Sequence, residues 1–443
     1  MLAKDCIRNS QIGYPVEMWT AIRPVQALLM SVALLLMGNG LQGTLLPIRA
    51  GIDKFSTFDI GVLGSSYFLG FATGCLIGPY LVQRVGHIRA FTGLVAIAST
   101  SALIHAMWSV PSVWWVFRAM TGICFAALYM IIESWLNERS TNETRGTVFS
   151  VYTVINLTVL TIGQMMLTLA DPATFFLFCV ASILVSLAAV PVAMTVAPAP
   201  APIGEVRIRI KRLYRISPVG FMGCLVVGLA NGSFWALGPT FAINSGMDTS
   251  GVAIFMSITV IAGAIGQFPI GRTSDKMDRR KVIAGICIAS CLAAISMLVM
   301  KGFWTEGLLV GSFIFGIFAF PLYSVCVAHT NDYIDPEDYV EAASGLLLTY
   351  AAGAVVGPIF TSWLMTVVGP DGLFMQTAAI HALFTGFVIY RMTRRAAVPE
   401  DQRGDFSDAL LNATIVSNVD IVDTAPQAAD PPRPDEEPPA AKA

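Results

Sequence analysis

Residues 25–47 read VQALLMSVALLLMGNGLQGTLLP. The stretch carries no charge, and its 23 residues make ~35 Å of α-helix, enough to cross the ~30 Å hydrocarbon core of a bilayer. Each backbone polar group in such a run bonds within its own helix, because lipid offers no other partner. Eleven further apolar runs follow, at about 59–82, 90–109, 112–135, 147–169, 173–195, 217–240, 250–271, 281–300, 304–327, 341–366 and 372–391. The reading is an all-α membrane protein of twelve transmembrane helices. Composition agrees: charged residues are 13% of the 443, where a soluble domain carries roughly 25%.

Lysine and arginine placement gives an orientation. With the N-terminus inside, twenty fall on the inner side and three, Arg49, Lys54 and Lys301, on the outer. Both termini are therefore expected in the cytoplasm, which needs an even number of spans. The first 22 residues hold Lys4, Asp5, Arg8 and Glu17 without an apolar core, so no cleavable signal peptide is expected.

The opening stretch returns later in the chain. Asn39-Gly40 with Pro47 recurs as Asn231-Gly232 with Pro239, a shift of 192. Gly74 and Arg84 recur as Gly266 and Lys276 at the same shift, Leu128-Tyr129 as Leu322-Tyr323 and Gly163 as Gly357 at 194. Four matches in order point to a duplicated six-helix unit. Six is even, so the two repeats are parallel. The expected division is a cytoplasmic N-terminus (1–24), a six-helix bundle (25–195), a cytoplasmic linker (196–216), a second bundle (217–391) and a disordered cytoplasmic tail (392–443). The linker passes from the Pro/Ala-rich stretch 197–202 to the basic run Arg207–Arg215, expected along an anionic leaflet or simply solvated. Transporters built from repeats place solute near the midplane between them.

Several classes of function are disfavoured. A net charge of −2 argues against nucleic-acid binding. No Ser/His/Asp set, clustered histidine or G-x-x-x-x-G-K-[ST] loop suggests an enzyme or ATP use. The eight cysteines form no C-x-x-C pair and the four histidines lack ligand spacing, so neither metal nor cofactor is expected. Tryptophans 108, 114, 115 and 304 are expected as interface anchors, and His105 and His329 as interfacial residues. The sequon at Asn142 lies in a cytoplasmic loop and carries no meaning.

The loop after the eighth run, Gly271-Arg-Thr-Ser-Asp-Lys-Met-Asp-Arg-Arg280, resembles the G-x-x-x-D-[RK]-x-G-R-[RK] signature of the major facilitator superfamily. Asp278 departs from it at the second glycine. The matching loop after the second run keeps Arg84 and Gly86, with Gln83 where the acid belongs. Gly64–Gly70, Arg118–Gly122 leading to Glu133, and Gly266–Arg272 are similar to the YcaD-like group of bacterial inner-membrane transporters within that superfamily. The resemblance implies the major facilitator fold and a cytoplasmic latch of Asp275 and Arg279, with Arg84 and Glu133 as the weaker counterpart. It implies a cavity lined from helices 1, 4, 7 and 10, hence by Asn39, Gln42, Arg118, Tyr129, Asn231, Trp235 and Tyr323.

Arg118 is the one clear charge inside a membrane segment. Such a charge costs ~2.5–3.5 kcal/mol on insertion scales and tends to be functional. The resemblance links it to proton coupling or to binding a substrate anion; otherwise it bonds polar groups of helix 1. Phe234 and Trp235 read as packing at least as readily as a ligand shelf. Gly353-x-x-x-Gly357-Pro358 in the eleventh run favours close packing and a bend. The fifth run keeps Gly163-Gln164 without a proline, which counts against drug/proton antiport. The expected function is secondary transport of a small organic solute across the bacterial inner membrane by a monomer. Proton coupling is left open, and a non-transporting sensor or assembly factor is the alternative.

Overall fold

The structure is a computed structural model and describes residues 22–141, 144–194, 209–300, 307–335, 338–399, 403–404 and 406. The N-terminal 21 residues, Asn142, most of the linker, Lys301, Trp304 and residues 407–443 lie outside it. Among the described residues every regular element is a helix, and twelve are long and apolar enough to cross a membrane. They are α1 (Arg23–Ile52), α2 (Thr57–Val85), α3 (His87–Met107), α4 (Pro111–Glu138), α5 (Arg145–Leu169), α6 (Phe176–Ala193), α7 (Pro218–Asn244), α8 (Thr249–Lys276), α9 (Arg279–Met300), α10 (Gly307–Asn331), α11 (Tyr339–Val368) and α12 (Gly372–Arg394). Each overlaps the apolar run read from the sequence. The structural ends extend a few residues past several runs, because capped turns carry the helices beyond the hydrocarbon. Ser56 and Asp59 form such a capping box at α2, and Asp248 accepts the Gly251 amide at the start of α8. With an even number of spans, α1 begins and α12 ends on one face, called here the terminal face.

The sequence repeat is visible in the packing. α1 packs on α5 and α6, α2 on α4, and α3 on α4 and α6; α7 packs on α11 and α12, α8 on α10, and α9 on α10 and α12. Each pairing in the first six recurs six helices later. The repeated glycines sit at equivalent crossings. A Cβ on Gly74 would come within 2.6 Å of the Ile123 carbonyl oxygen, and one on Gly266 within 3.0 Å of the Cα of Ile317. A Cβ on Gly163 would lie 3.1 Å from the Leu41 amide, and one on Gly357 would lie 2.5 Å from the Leu229 oxygen. Small residues let these backbones touch, which is how helices associate where no hydrophobic effect drives them together. Gly74→Val and Gly266→Val are each expected to cost about 1–3 kcal/mol through overpacking. Detergent melts of the two variants check this, and midpoints equal to wild type would show that the crossings can relax.

The apolar interior is forked. One buried cluster joins both bundles at the face opposite the termini, running from Leu45, Ile60, Trp114 and Phe178 to Phe241, Phe255, Phe315 and Met365. Towards the terminal face it divides. One branch, around Leu35, Phe125, Ile132 and Tyr152, belongs to the first bundle, and the other, around Val227, Ile283, Val325 and Leu346, to the second. The close approaches between bundles follow the same plan. A Cβ on Gly61 would lie 2.6 Å from the Pro358 oxygen and would also strike Ser362, and one on Gly64 would strike Ala236. Ser257 of α8 donates to Gln164 of α5 at 3.4 Å. The molecule is closed at the opposite face.

Two expectations at that end are corrected. Trp114 is fully buried, wedged among Phe55, His105 and Phe178, with its indole N–H on the Trp108 carbonyl. It is a core residue, because six residues of backbone curl over it and satisfy its one donor. Trp115 is part-buried and donates to the Asp59 carbonyl, so of Trp108, Trp114 and Trp115 only Trp108 is well exposed. His105 is also buried rather than interfacial, and so is His329 at the terminal face.

Candidate functional site

Between the bundles, near mid-height, lies a cavity of about 720 Å³, open space at its mouth included. α1 supplies Asn39, Gly40, Gly43 and Thr44, and α2 supplies Gly64, Tyr67 and Phe68. Arg118 comes from α4, Leu160 and Gln164 from α5, Trp235 and Ala236 from α7, and Tyr350 from α11. A Cβ on Gly43 would meet nothing, so the space in front of this part of the wall is open.

Arg118 sets the electrostatics. Its guanidinium carbon lies 4.4 Å from the centre of the Tyr67 ring, a cation–π distance. Its Nη1 is buried without a hydrogen-bond partner. No aspartate or glutamate lines the cavity, and among the described residues Arg118 forms no ion pair. The ring face of Tyr67 is weak compensation for a charge removed from water. Asn39, directly on the wall, also leaves its side-chain oxygen buried and unpartnered. Four aromatic rings, those of Tyr67, Phe68, Trp235 and Tyr350, share the wall with Thr44, Leu160, Gln164 and small residues. Trp235 stacks on Phe320 at 5.5 Å and 26°, and Phe68 of α2 meets Tyr350 of α11 edge-on across the bundle boundary at 6.4 Å.

Of the residues proposed from sequence, Asn39, Arg118 and Trp235 line this cavity. Gln42 is buried on α1 away from the cavity wall, with neither amide atom partnered. Tyr323 packs behind Tyr350 at 5.5 Å, and Tyr129 against Phe71 at 6.4 Å, both outside the cavity wall. Asn231 is buried and donates to the Ala319 carbonyl at 3.4 Å, where α10 breaks at Phe320-Pro321 and its backbone lacks a helical partner. Sequence reasoning did not single out Tyr67, Phe68, Gln164 or Tyr350 for the cavity. Tyr67 and Gln164 stood inside motifs quoted for other reasons. Tyr350 had no signal, because α11 was not expected to reach the cavity.

The four latch residues divide. Arg279 is buried between Asp275 (3.4 Å) and Asp332 (3.0 Å) on the terminal face of the second bundle. Burial pushes the Asp332 carboxyl up to about 6, against the opposing pull of Arg279 and of the Gly404 amide. Arg280 pairs with Asp278 at 2.8 Å, so the residue that departs from the signature is itself engaged. In the first bundle Arg84 is exposed, whereas Glu133 is buried and accepts from the Tyr152 hydroxyl at 3.2 Å. Arg84 and Glu133 are not brought together. The linker helix Ile210–Ile216 lies against the start of α11, where Arg209 pairs with Glu341 and Arg212 with Asp338. These basic residues thus have protein partners.

Two parallel six-helix bundles enclosing a cavity at mid-height, closed at one face, define a polytopic membrane transporter. A family model for the Major Facilitator Superfamily matches residues 28–301 and 220–426, and the chain belongs to that superfamily. It is 27% identical over 383 residues to an uncharacterised transporter of this superfamily, YcaD, from Escherichia fergusonii, covering 85% of this chain and 98% of that one. The Escherichia coli YcaD is 26% identical over 373 residues, with 83% and 95% covered. Among solved structures, a variant of the nucleoside transporter NupG superposes with a TM-score of 0.71 at 13% identity, covering 82% of this chain and 98% of that one. A bacterial homologue of the human lysosomal transporter Spinster, in an inward-facing and occupied conformation, gives 0.66 at 15%, with 86% and 98% covered. At those identities the structures speak for the fold alone.

Proposed function

We propose that this chain is a secondary active transporter of a small organic anion, carried across the bacterial inner membrane by alternating access. The observation that carries the reading is Arg118, a buried guanidinium with no acidic partner among the described residues, in a cavity between two bundles that four aromatic rings help to line. A carboxylate or similar anion would supply the missing counter-charge through charge-assisted hydrogen bonds. Asn39 and Gln164 would receive polar substituents, and Tyr67, Phe68, Trp235 and Tyr350 would flank an aromatic or apolar body. The forked core supports alternating access, since the branches can swing together at the terminal face while the shared cluster parts. The excess of lysine and arginine beside the terminal face favours a cytoplasmic location for it, so the observed form faces inward. Asp275 and Arg279 would act in closing that face.

Uptake into proteoliposomes tests the proposal. Aromatic and aliphatic monocarboxylates, their uncharged amides, nucleosides and organic cations form the panel. Saturable uptake of carboxylates, with the amides at least about tenfold poorer, is expected. Preferential uptake of amides or cations would overturn the anion assignment, and binding of anions without flux would favour the sensor alternative. A pH dye inside the vesicles reads whether protons accompany the solute. Glu133, beside Tyr152, is the buried acid that would carry them.

A further inference from the structure

Arg403, Gly404 and Phe406 lie at the terminal face, against the end of α8. The Phe406 side chain is buried, only 6% exposed, and joins the apolar core of the second bundle. Its ring occupies the space a side chain at Gly271 would need: a Cβ there would lie 3.0 Å from the ring carbon Cγ. The Phe406 amide donates to Asp275 at 2.9 Å. The Gly404 amide donates to Asp332 at 3.3 Å, while its carbonyl accepts from Arg279. Arg403 donates to the Met277 carbonyl at 2.8 Å, at the end of the same helix. Two described residues of the tail, Gly404 and Phe406, thus engage every member of the Asp275–Arg279–Asp332 group.

The occupied face of α8 is the one that meets the other bundle. At the opposite end of the molecule Ser257 of α8 touches Gln164 of α5. Asp275 lies 18 residues after Ser257, which on a regular helix is five full turns and the same azimuth; Gly271 is displaced by only ~40°. α5 runs antiparallel to α8, so continuing that contact would bring Gly271 opposite Ser150 and Asp275 opposite Gly146, at the N-terminus of α5. Those positions are vacant on the α5 side. Ser150 and Gly146 are exposed, Val154 is 64% exposed, and a Cβ on Gly146 would meet nothing. An acid approaching a helix N-terminus is favoured, yet here the Asp275 carboxylate already holds the Phe406 amide.

We infer that Gly404 and Phe406 of the tail form an intramolecular plug. It occupies the α8 surface on which α5 must close, and so holds the transporter open at the terminal face until it leaves. The inference rests on the alternating-access reading. It adds that the tail and α5 compete for one site, formed by Gly271 and Asp275. Weakening the plug should favour closure of the terminal face, by a factor on the order of ten for loss of one buried phenylalanine ring.

Spin labels at Thr147→Cys and Lys276→Cys, both exposed positions, report the separation of α5 and α8 at that face in full-length protein with its native cysteines replaced. Phe406→Ala releases the plug from the tail side. Gly271→Ala displaces it from the helix side without touching the tail. Both variants are expected to enrich the short-distance population about tenfold over the parent and to change transport rate. The two together should do no more than either alone. If both variants keep the parental distances while added carboxylates still shorten them, the plug is refuted and the transport reading stands. A lower melting temperature with unchanged distances would make the segment a structural cap only, and would equally refute the plug. If the parent never shortens under any solute but the variants do, the plug is supported and the solute assignment fails.

Discussion

Arg118→Gln should transport organic anions at least a hundredfold more slowly than wild type, while folding normally. The substitution removes the one charge that the described residues place on the cavity wall and keeps a polar side chain of similar reach. A solute carboxylate would then be desolvated without a counter-charge, at a cost of about 3 kcal/mol or more, roughly a hundredfold in affinity. Folding is spared because Arg118 forms no ion pair in the structure, so no buried partner is orphaned. Arg118→Lys should fall between the two. Its ammonium keeps the charge but loses the planar fork and the stacking on Tyr67. Initial uptake rates and melting midpoints of the three proteins are the measurement. Wild-type rates in Arg118→Gln would return this residue to a structural role and remove the basis for an anionic solute.

The second large effect is expected at Gly61. A side chain there meets the Ser362 side chain and the Pro358 carbonyl of α11, across the boundary between bundles. The three atoms nearest to such a Cβ all belong to α11, whereas those nearest to one on Gly74 belong to α4 of the same bundle. Gly61→Val should therefore leave each bundle intact and wedge the opposite face apart. Overpacking of about 1–3 kcal/mol corresponds to a shift of roughly five- to 150-fold away from the observed form. A cysteine at Ala236, which lies under Gly64 and is 6% exposed, reports it. Its reaction with an impermeant maleimide added from the opposite face should accelerate by that factor. Unchanged labelling, with a lowered melting point, would mean the clash is absorbed within α2.

Most of the fold was legible because the bilayer imposes a length and a composition on every span. Each of the twelve apolar runs, beginning with 25–47, could be read in isolation. The repeat was legible because close helix crossings demand glycine, and Gly74, Gly163, Gly266 and Gly357 stand at matching crossings. The cavity was legible only in part. Arg118 announced itself as a charge where charge is costly, and Asn39 as an amide in an apolar run. Aromatic side chains send no such signal. Tyr350 and Phe68 are as ordinary in sequence as Phe315, which is core. Whether a ring faces a cavity or a neighbour depends on how two bundles lean together, and no local pattern encodes that. Trp114 failed for the related reason that a tryptophan near a helix end serves equally well at a lipid interface or under a folded loop. The contact of Phe406 with Gly271 was beyond reach, since it joins positions far apart in the chain through a single ring.

The forked interior has a consequence for how this protein tolerates change. A residue such as Ile132 or Ile283 lies in a branch that belongs to one bundle. Trimming it weakens that bundle equally in every conformation, so the two populations of an alternating cycle fall together and their ratio is preserved. Leu45 or Phe241 lies in the shared cluster that joins the bundles at the opposite face, which on the alternating-access proposal parts when that face opens. Trimming those residues lightens one side of the balance alone. Variation in the branches is thus a matter of abundance, whereas variation in the shared cluster retunes how long the transporter waits on each side of the membrane.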